Sequence, residues 1–112
     1  MTAHLYAGET TVTLDRYSGA GGRNQEMALA AVSEVREDEL LLPFASDGHD
    51  NTDVAGAIAD TETRAHAEAQ GIDSGAYLAE HRSHDFFTTT GDALLTGYTG
   101  SNVSDFIIAI KR

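Results

Sequence analysis

The order of strand-like and helix-like segments predicts an α/β fold, a small layered domain in which helices pack on a mixed β-sheet. Segments that alternate β-branched and apolar residues lie on both sides of segments whose apolar residues recur with helical spacing. Leu, Ile, Val and Phe together number 23 of 112 residues and Ala alone numbers 17, so the small core needs closely packed helices. The length allows one domain.

The N-terminal part begins with two strand-like runs and continues into a helix. Residues 4–14 have the alternation of strands, and Gly8 within them predicts a break or bulge. A glycine-rich loop over residues 18–22 follows, and from Asn24 onward apolar residues recur with helical spacing. The loop therefore leads into the N-terminus of a helix, which ends at the charged segment 36–39.

A buried strand and a polar loop follow this helix. Residues 40–45 form a short apolar run typical of a buried strand, although Pro43 makes a central position in the sheet uncertain. Residues 46–53 are rich in Asp, Asn and Gly and predict a loop at the end of that strand. Loops in this position often carry functional residues.

The second half of the chain predicts helices and then two strands. Asp60 is a suitable N-cap for a helix over residues 61–70, and Asp73 is suitable for a second helix over residues 74–81. Ser83 is predicted to cap a third short turn. The pattern of the last segments predicts two strands and the loop that joins them, over residues 93–96, 105–110 and 97–104.

Charge and composition exclude several classes of function. The formal charge is −11 and Lys111 is the only Lys, so nucleic acid and membrane surfaces are excluded as partners by repulsion. The absence of Cys excludes disulfide scaffolds and thiolate sites, and no apolar run is long enough for a membrane span or a signal peptide. We therefore expect a cytoplasmic protein. The acidic excess with so little Lys indicates adaptation to high salt, a halophilic character.

The segment Gly21-Gly22-Arg23-Asn24 is the sharpest local feature of the sequence. Backbone N–H groups and the dipole of a helix N-terminus favour an anion, and an arginine can bind carboxylate or phosphate oxygens with two hydrogen bonds. The alternative is that the glycines only turn the chain and that Arg23 is a solvated surface charge.

Three further groups have both a functional and a structural interpretation. The loop acids Asp47, Asp50 and Asp53 fail the calcium-loop spacing, and they either contact Mg²⁺ or a substrate hydroxyl or only form a turn. The Thr- and Gly-rich segment 96–102 offers donors to an oxyanion or is a long hairpin connection. The pair His81 and His84 has no evident third ligand, so surface or capping roles are favoured over a metal site.

Four ordered blocks of this sequence together resemble the MOFRL domain, which is the C-terminal domain of the glycerate 2-kinase family, also labelled hydroxypyruvate reductases. The blocks are Gly8-Glu9-Thr10-Thr11-Val12-Thr13, Gly21-Gly22-Arg23-Asn24-Gln25-Glu26, Asp47-Gly48 with Thr52-Asp53-Val54-Ala55-Gly56-Ala57, and Thr99-Gly100-Ser101-Asn102-Val103-Ser104-Asp105. The resemblance implies that residues 1–112 are a single α/β domain, the second half of a two-domain enzyme whose N-terminal Rossmann-like domain is absent here.

In that family ATP and Mg²⁺ phosphorylate D-glycerate to 2-phosphoglycerate in the cleft between the two domains. The resemblance implies that Arg23 is the active-site arginine, which stabilises the transferred phosphoryl group or holds the glycerate carboxylate. It also implies a set of substrate- or phosphate-binding residues, namely Glu9, Gly21, Gly22, Asn24, Glu26, Asp47 and Asn102. No metal ligand is assigned, although the acids of this set would be placed to orient Mg²⁺ or a substrate hydroxyl.

The implied partners are an N-terminal glycerate kinase domain or subunit and D-glycerate, with a homo-oligomer left open. The chain departs from the family pattern at Ala7, Asn51 and Tyr98, and the first two of these lie in the proposed cleft loops, where they bear on substrate specificity. We expect the isolated chain to be inactive. The alternative function is a stand-alone, non-catalytic module that binds a small anion or regulates another protein. The reductase label finds no support, because no dinucleotide-binding glycine fingerprint follows a strand.

Overall fold

The computed structural model describes residues 1–8, 21–101 and 104–112. The predicted second strand run after Gly8, most of the glycine-rich loop, and the site candidates Glu9 and Asn102 lie outside the described residues. The described strands are β1 (Thr2–Gly8), β2 (Glu39–Ala45), β3 (Gly56–Ala57), β4 (Ala93–Leu94) and β5 (Asp105–Lys111). The described helices are α1 (Arg23–Val32), α2 (Thr61–Ala69), α3 (Ser74–Ala79) and α4 (Ser83–Thr90).

The strands form one sheet in the order β1-β5-β2-β3-β4. The layered α/β fold is thereby confirmed. The sheet was predicted to be mixed, but the strand pairs of the described residues are all antiparallel. The strand β5 pairs along its whole length with both β1 and β2. The predicted strand over residues 93–96 is shorter than expected, and β2 and β3 separate it from β5. The hairpin interpretation of the loop between β4 and β5 is therefore wrong.

Pro43 lies in an interior strand of the sheet. The direction in which its missing N–H would point explains how the sheet tolerates a proline there. The backbone N–H groups of Leu41 and Ala45 donate to Ala59 and Ala55 on the β3 side of β2. Because N–H groups alternate along a strand, the N–H that Pro43 lacks would point to that same side. The ladder to β5 keeps its full length, whereas the register of β2 with β3 is a single pair, Phe44 with Gly56.

Two helices begin where the sequence predicts, because a nearby side chain caps each N-terminus. Asp60 caps α2 through a capping box with Thr63, and Asp73 caps α3 by accepting from the N–H of Ala76 at 3.0 Å. The prediction for α4 was wrong, because Arg82 occupies the cap position and Ser83 is the first helical residue. The side chain of Ser83 is fully buried and has no hydrogen-bond partner in the part of the chain that the structure describes.

The core lies between the helices and one face of the sheet. Its buried side chains come from α1, α2, α4 and the β3 region, and Leu41 of β2 and Leu78 of α3 pack against them. The buried set is Ala28, Leu29, Val32, Ala57, Ala59, Ala67, Phe86 and Phe87. Many members are alanines, so the helices approach the sheet closely, as the composition predicts. None of the helices described by the structure is long and apolar enough to cross a membrane.

Candidate functional site

A carboxylate from a distant loop caps the N-terminus of α1. Gly22 is the N-cap residue of this helix and has no side chain to offer. Oδ1 of Asp50 instead accepts from the backbone N–H of Asn24 at 3.1 Å, and Oδ2 accepts from that of Gln25 at 2.7 Å. Asp50 is 4% exposed. The sequence predicts that N–H groups at this helix start bind an anion. Two of them already bind the carboxylate of Asp50, which belongs to the protein itself.

Side chains of α1 complete the coordination of this carboxylate. Nδ2 of Asn24 donates to Oδ1 at 3.2 Å, and Nε2 of Gln25 donates to Oδ2 and to the backbone carbonyl of Asp50, each at 3.1 Å. Both amide side chains are buried. A buried carboxylate with this many donors is satisfied without a counter-ion. The network joins the loop of residues 46–53 to α1, and Gly22 is needed because a Cβ there would lie 2.3 Å from Oδ1 of Asp50.

Arg23 is the first residue of α1, and its guanidinium pairs with Asp105, the first residue of β5. The hydrogen bond joins Nε of Arg23 to Oδ2 of Asp105, whose side chain is 8% exposed, whereas that of Arg23 is 39% exposed. In the sheet register Asp105 lies opposite Ala45 of β2 and Gly8 of β1. The arginine is therefore held at the end of the central strands, beside the loop that follows β2, and part of it remains open to solvent.

The two histidines that follow α3 contact α1 rather than each other. Nδ1 of His81 lies 2.5 Å from Oε1 of Glu26, and Nδ1 of His84 lies 3.2 Å from Oε1 of Gln25. Because Nε2 of Gln25 donates to Asp50, its Oε1 is the acceptor and Nδ1 of His84 carries the proton. Within residues 1–8, 21–101 and 104–112, no group of three His, Cys, Asp or Glu side chains is arranged to hold a metal ion. These histidines connect the start of α4 to α1.

Asp47 lies in a turn at the junction of two loops. Its Oδ1 accepts from the N–H of His49 at 2.9 Å, and its backbone carbonyl accepts from the N–H of Thr99 at 3.3 Å. Oγ1 of Thr99 donates to the carbonyl of Ser46 at 2.5 Å. The close approach also requires Gly48, where a Cβ would meet the carbonyl oxygen of Gly97 at 2.1 Å. The two loops that the sequence singled out are therefore neighbours.

The structure brings together some of the residues predicted for the site. Arg23 and Asn24 lie beside the loop that contains Asp47, and Gly22 lies directly under Asp50. Gly21 packs on Ser83, whose Oγ would be 2.0 Å from a Cβ at that glycine, and Glu26 binds His81. These two residues serve the contact between α1 and α4.

Sequence reasoning gave no site role to Asp105 or Gln25. It weighed Asp50 only as one of three loop acids, and His84 only as one of a pair of histidines. For Asp105 a signal existed, since a lone acid opens an otherwise apolar strand run. Asp50 was one of several loop acids, and nothing local distinguishes it from Asp47 or Asp53. Its helix partners, Asn24 and Gln25, are 26 and 25 positions away in sequence, so spacing alone does not reveal the contact.

The chain is similar to known proteins over nearly its whole length. The sequence profile of the MOFRL family matches residues 2–105. The chain is 43% identical to a glycerate 2-kinase of Pyrococcus horikoshii over 95% of its own length and 24% of that protein's length. It is 44% identical to a human glycerate kinase over 96% of this chain and 22% of that protein.

A crystal structure of glycerate kinase from Thermotoga maritima superimposes with a TM-score of 0.90 at 40% identity, covering 98% of this chain and 27% of that chain. The chain thus spans about a quarter of the length of the relatives it matches. The family profile matches nearly the whole chain, and the identity and the shared fold agree with it, so this chain belongs to the MOFRL family.

Proposed function

We propose that this chain contributes half of the interdomain site of a glycerate 2-kinase, in which ATP phosphorylates D-glycerate to 2-phosphoglycerate. The relatives named above are glycerate kinases about four times as long as the matched segment. The observation that carries the proposal is Arg23, a partly exposed arginine that a buried carboxylate holds at the rim of two loops. An arginine fixed in this way is suited to an anionic substrate.

Arg23 is held from two directions. Asp105 engages its Nε, and the backbone on its C-terminal side is fixed because Asp50 caps the next two residues of α1. A preorganised donor stabilises developing charge better than a mobile one, because it does not have to reorient during the reaction. In the proposed reaction Arg23 binds the glycerate carboxylate or the transferred phosphoryl group. Asp105 and Asp50 are positioning residues that act through Arg23.

The remaining chemistry must come from a partner. The only Lys of the sequence, Lys111, is six positions from Asp105 along β5, which corresponds to about 20 Å. It therefore lies far from Arg23 and does not serve a phosphate there. Both oxygens of Asp50 bind N–H donors, and Asp105 binds Arg23. These carboxylates do not fit a Mg²⁺ site, so we propose that ATP and Mg²⁺ are held chiefly by the N-terminal domain or subunit.

The cap that Asp50 forms on α1 weighs against a stand-alone anion-binding module. A module of that kind would use the N-terminus of α1, where Asp50 already accepts from two backbone N–H groups. An external anion would have to displace a buried carboxylate from this position. The kinase half-site needs only the Arg23 guanidinium from this region, and it is therefore the function that the geometry supports best.

A hybrid enzyme tests the proposal. This chain replaces the matched quarter of the Thermotoga maritima D-glycerate 2-kinase, and release of ADP is measured with ATP, Mg²⁺ and D-glycerate. We expect turnover by the hybrid and none by the chain alone. Arg23→Lys should lower the activity of the hybrid by on the order of a hundredfold or more. A fall confined to kcat would assign Arg23 to the phosphoryl group, and a rise in KM would assign it to the carboxylate.

Arg82 provides a matched control for this substitution. Its side chain is also 39% exposed and also pairs through Nε with an aspartate, Asp85, at 3.2 Å. Arg82→Lys should leave kcat and KM unchanged. If Arg23→Lys is as harmless as Arg82→Lys in an active hybrid, Arg23 has no catalytic role. A folded hybrid without turnover would reject the kinase half-site itself.

A further inference from the structure

One face of the sheet carries none of the helices found in residues 1–8, 21–101 and 104–112. Leu41 of β2 packs against the core, and all four described helices contribute residues to that core or its margin. Side chains alternate along a strand, so Leu40, Leu42 and Phe44 point to the opposite side. The registers place nine side chains on this outer face, namely Ala3, Leu5 and Ala7 of β1, Phe106, Ile108 and Ile110 of β5, and Leu40, Leu42 and Phe44 of β2.

The outer face is entirely apolar and incompletely buried. The rings of Phe44 and Phe106 contact each other across the strands at 5.7 Å between centroids, which confirms that they share a face. Leu5 is 66% exposed, and none of the nine side chains belongs to the buried core. Seven of the 18 Leu, Ile and Phe residues of the chain lie here. An apolar surface of this extent is typical of an interface, because water contact with it is unfavourable.

We infer that the outer face is the docking surface for a layer of apolar helix from the part of a glycerate 2-kinase that lies outside the matched segment. Relatives carry about three quarters of their length beyond the match, so each has ample chain to supply such a layer. An antiparallel sheet can leave one face open to water, but the residues on such a face are polar. An entirely apolar face is instead expected to be covered by a partner. The identity of this partner rests on the proposed function.

A second copy of the chain fits this surface less well. Each copy has a formal charge of −11, so pairing would bring two strongly negative bodies together. The outer face itself has no charged side chain that would offset this repulsion. A partner chain of ordinary charge does not meet the same obstacle.

The outer face is separate from the candidate site. Asp105 lies opposite Ala45, and both therefore point to the helix side of the sheet, where Arg23 reaches Asp105. A helix layer on the outer face would leave Arg23 accessible. The covering layer and the segment that completes the site therefore approach this domain from different sides.

Single cysteines report on coverage, because the chain has none of its own. Ile108→Cys places a thiol at the centre of the outer face, and Glu68→Cys places one on an exposed position of α2 as a control. The rate of reaction with a chromogenic thiol reagent is measured in the isolated chain and in the Thermotoga hybrid. We expect the thiol at 108 to react about tenfold or more slowly in the hybrid, and the thiol at 68 to react equally in both.

Equal rates for position 108 in a folded hybrid would overturn the inference. Light scattering of the isolated chain provides a second criterion, since a dimer in which the thiol at 108 is already protected would identify a second copy as the occupant. Protection without ADP release would reject the proposed function and keep the docking surface. ADP release without protection would support the proposed function and reject the docking surface.

Adjacent residues of β2 give a test that does not need the hybrid. In the isolated chain Leu41→Gln should lower the thermal midpoint by more than about 10 °C, because Leu41 packs on the core. Leu42→Gln, on the outer face, should cost less than about a third of that shift. Equal shifts would show that the outer face is already covered in the isolated chain and would overturn the inference.

Discussion

The cap on α1 allows a quantitative prediction for Asp50→Asn. The substitution keeps the shape of the side chain but replaces one carboxylate oxygen with an NH₂ group. Each oxygen of Asp50 accepts from one backbone N–H and one side-chain amide, at distances between 2.7 and 3.2 Å. Whichever way the new amide is oriented, its NH₂ group faces two donors of α1. Its remaining oxygen also lacks the negative charge that interacts favourably with the dipole at the helix N-terminus.

The loss is the sum of a helix cap and of buried hydrogen bonds. An N-cap is worth about 1 kcal/mol, and a buried donor left unsatisfied costs about 1–3 kcal/mol. The gain from no longer burying a charge offsets part of this cost. We therefore expect Asp50→Asn to lower the free energy of unfolding by about 1–3 kcal/mol, which corresponds to a thermal midpoint roughly 5–15 °C lower.

Urea unfolding of the 112-residue chain, followed by circular dichroism, measures this difference. The matched control is Asp53→Asn, which removes the same charge from the same loop at a side chain that is 80% exposed. Asp53→Asn should change the free energy of unfolding by less than about 0.5 kcal/mol. If the two variants have equal stability, Asp50 does not cap α1 and the argument for a preorganised Arg23 loses its basis.

Three further predictions concern stability. Gly22→Ala should cost about 1–3 kcal/mol in a urea titration, because its Cβ would lie 2.2 Å from the carbonyl oxygen of Asp50, whereas Gly8→Ala, with no atom within 4 Å, should be nearly neutral. The hydrogen bond and the charge of Asp92 raise the pKa of His66 above its usual 6.5. The pair therefore stabilises the folded chain below about pH 6.5 and stops doing so as the pH rises through the raised pKa. His66→Gln should lower the thermal midpoint at about pH 5.5 and leave it unchanged at about pH 8.5; an equal effect at both pH values would contradict this. The thermal midpoint should also rise between about 0.1 and 2 M KCl, since salt screens the repulsion among charges that sum to −11; a flat or falling midpoint would count against adaptation to high salt.

The sequence was most informative where a residue acts on its near neighbours. Asp60 and Asp73 each accept from an N–H three residues later, and both helix starts were predicted correctly. The end of α1 was predicted too far along the chain. The helix ends at Val32, and at this end Arg64 of α2 donates to the carbonyl oxygens of Val32 and Val35. A contact across 32 residues has no local signal.

The candidate site shows the same division. The blocks shared with the MOFRL family indicated Arg23 and the two loops beside it, and the structure places these elements together. Residue types and spacing did not reveal that Asp50 is the anion at the start of α1. They also did not reveal that Asp105 holds Arg23, since those residues are 82 positions apart. Tertiary contacts of this length depend on the whole fold, and no periodicity encodes them.

The position of β5 in the sheet affects the order in which the domain can fold. This strand is the last element in the sequence, yet it lies between β1 and β2 and pairs with seven residues of each. During synthesis β1 and β2 therefore leave the ribosome long before β5, and until then neither strand can make its pairing with β5. Closing so long a segment carries an entropic cost before any pairing compensates it. We expect the sheet to assemble late and cooperatively, so that removal of the last seven or so residues would prevent assembly of the sheet rather than shorten it.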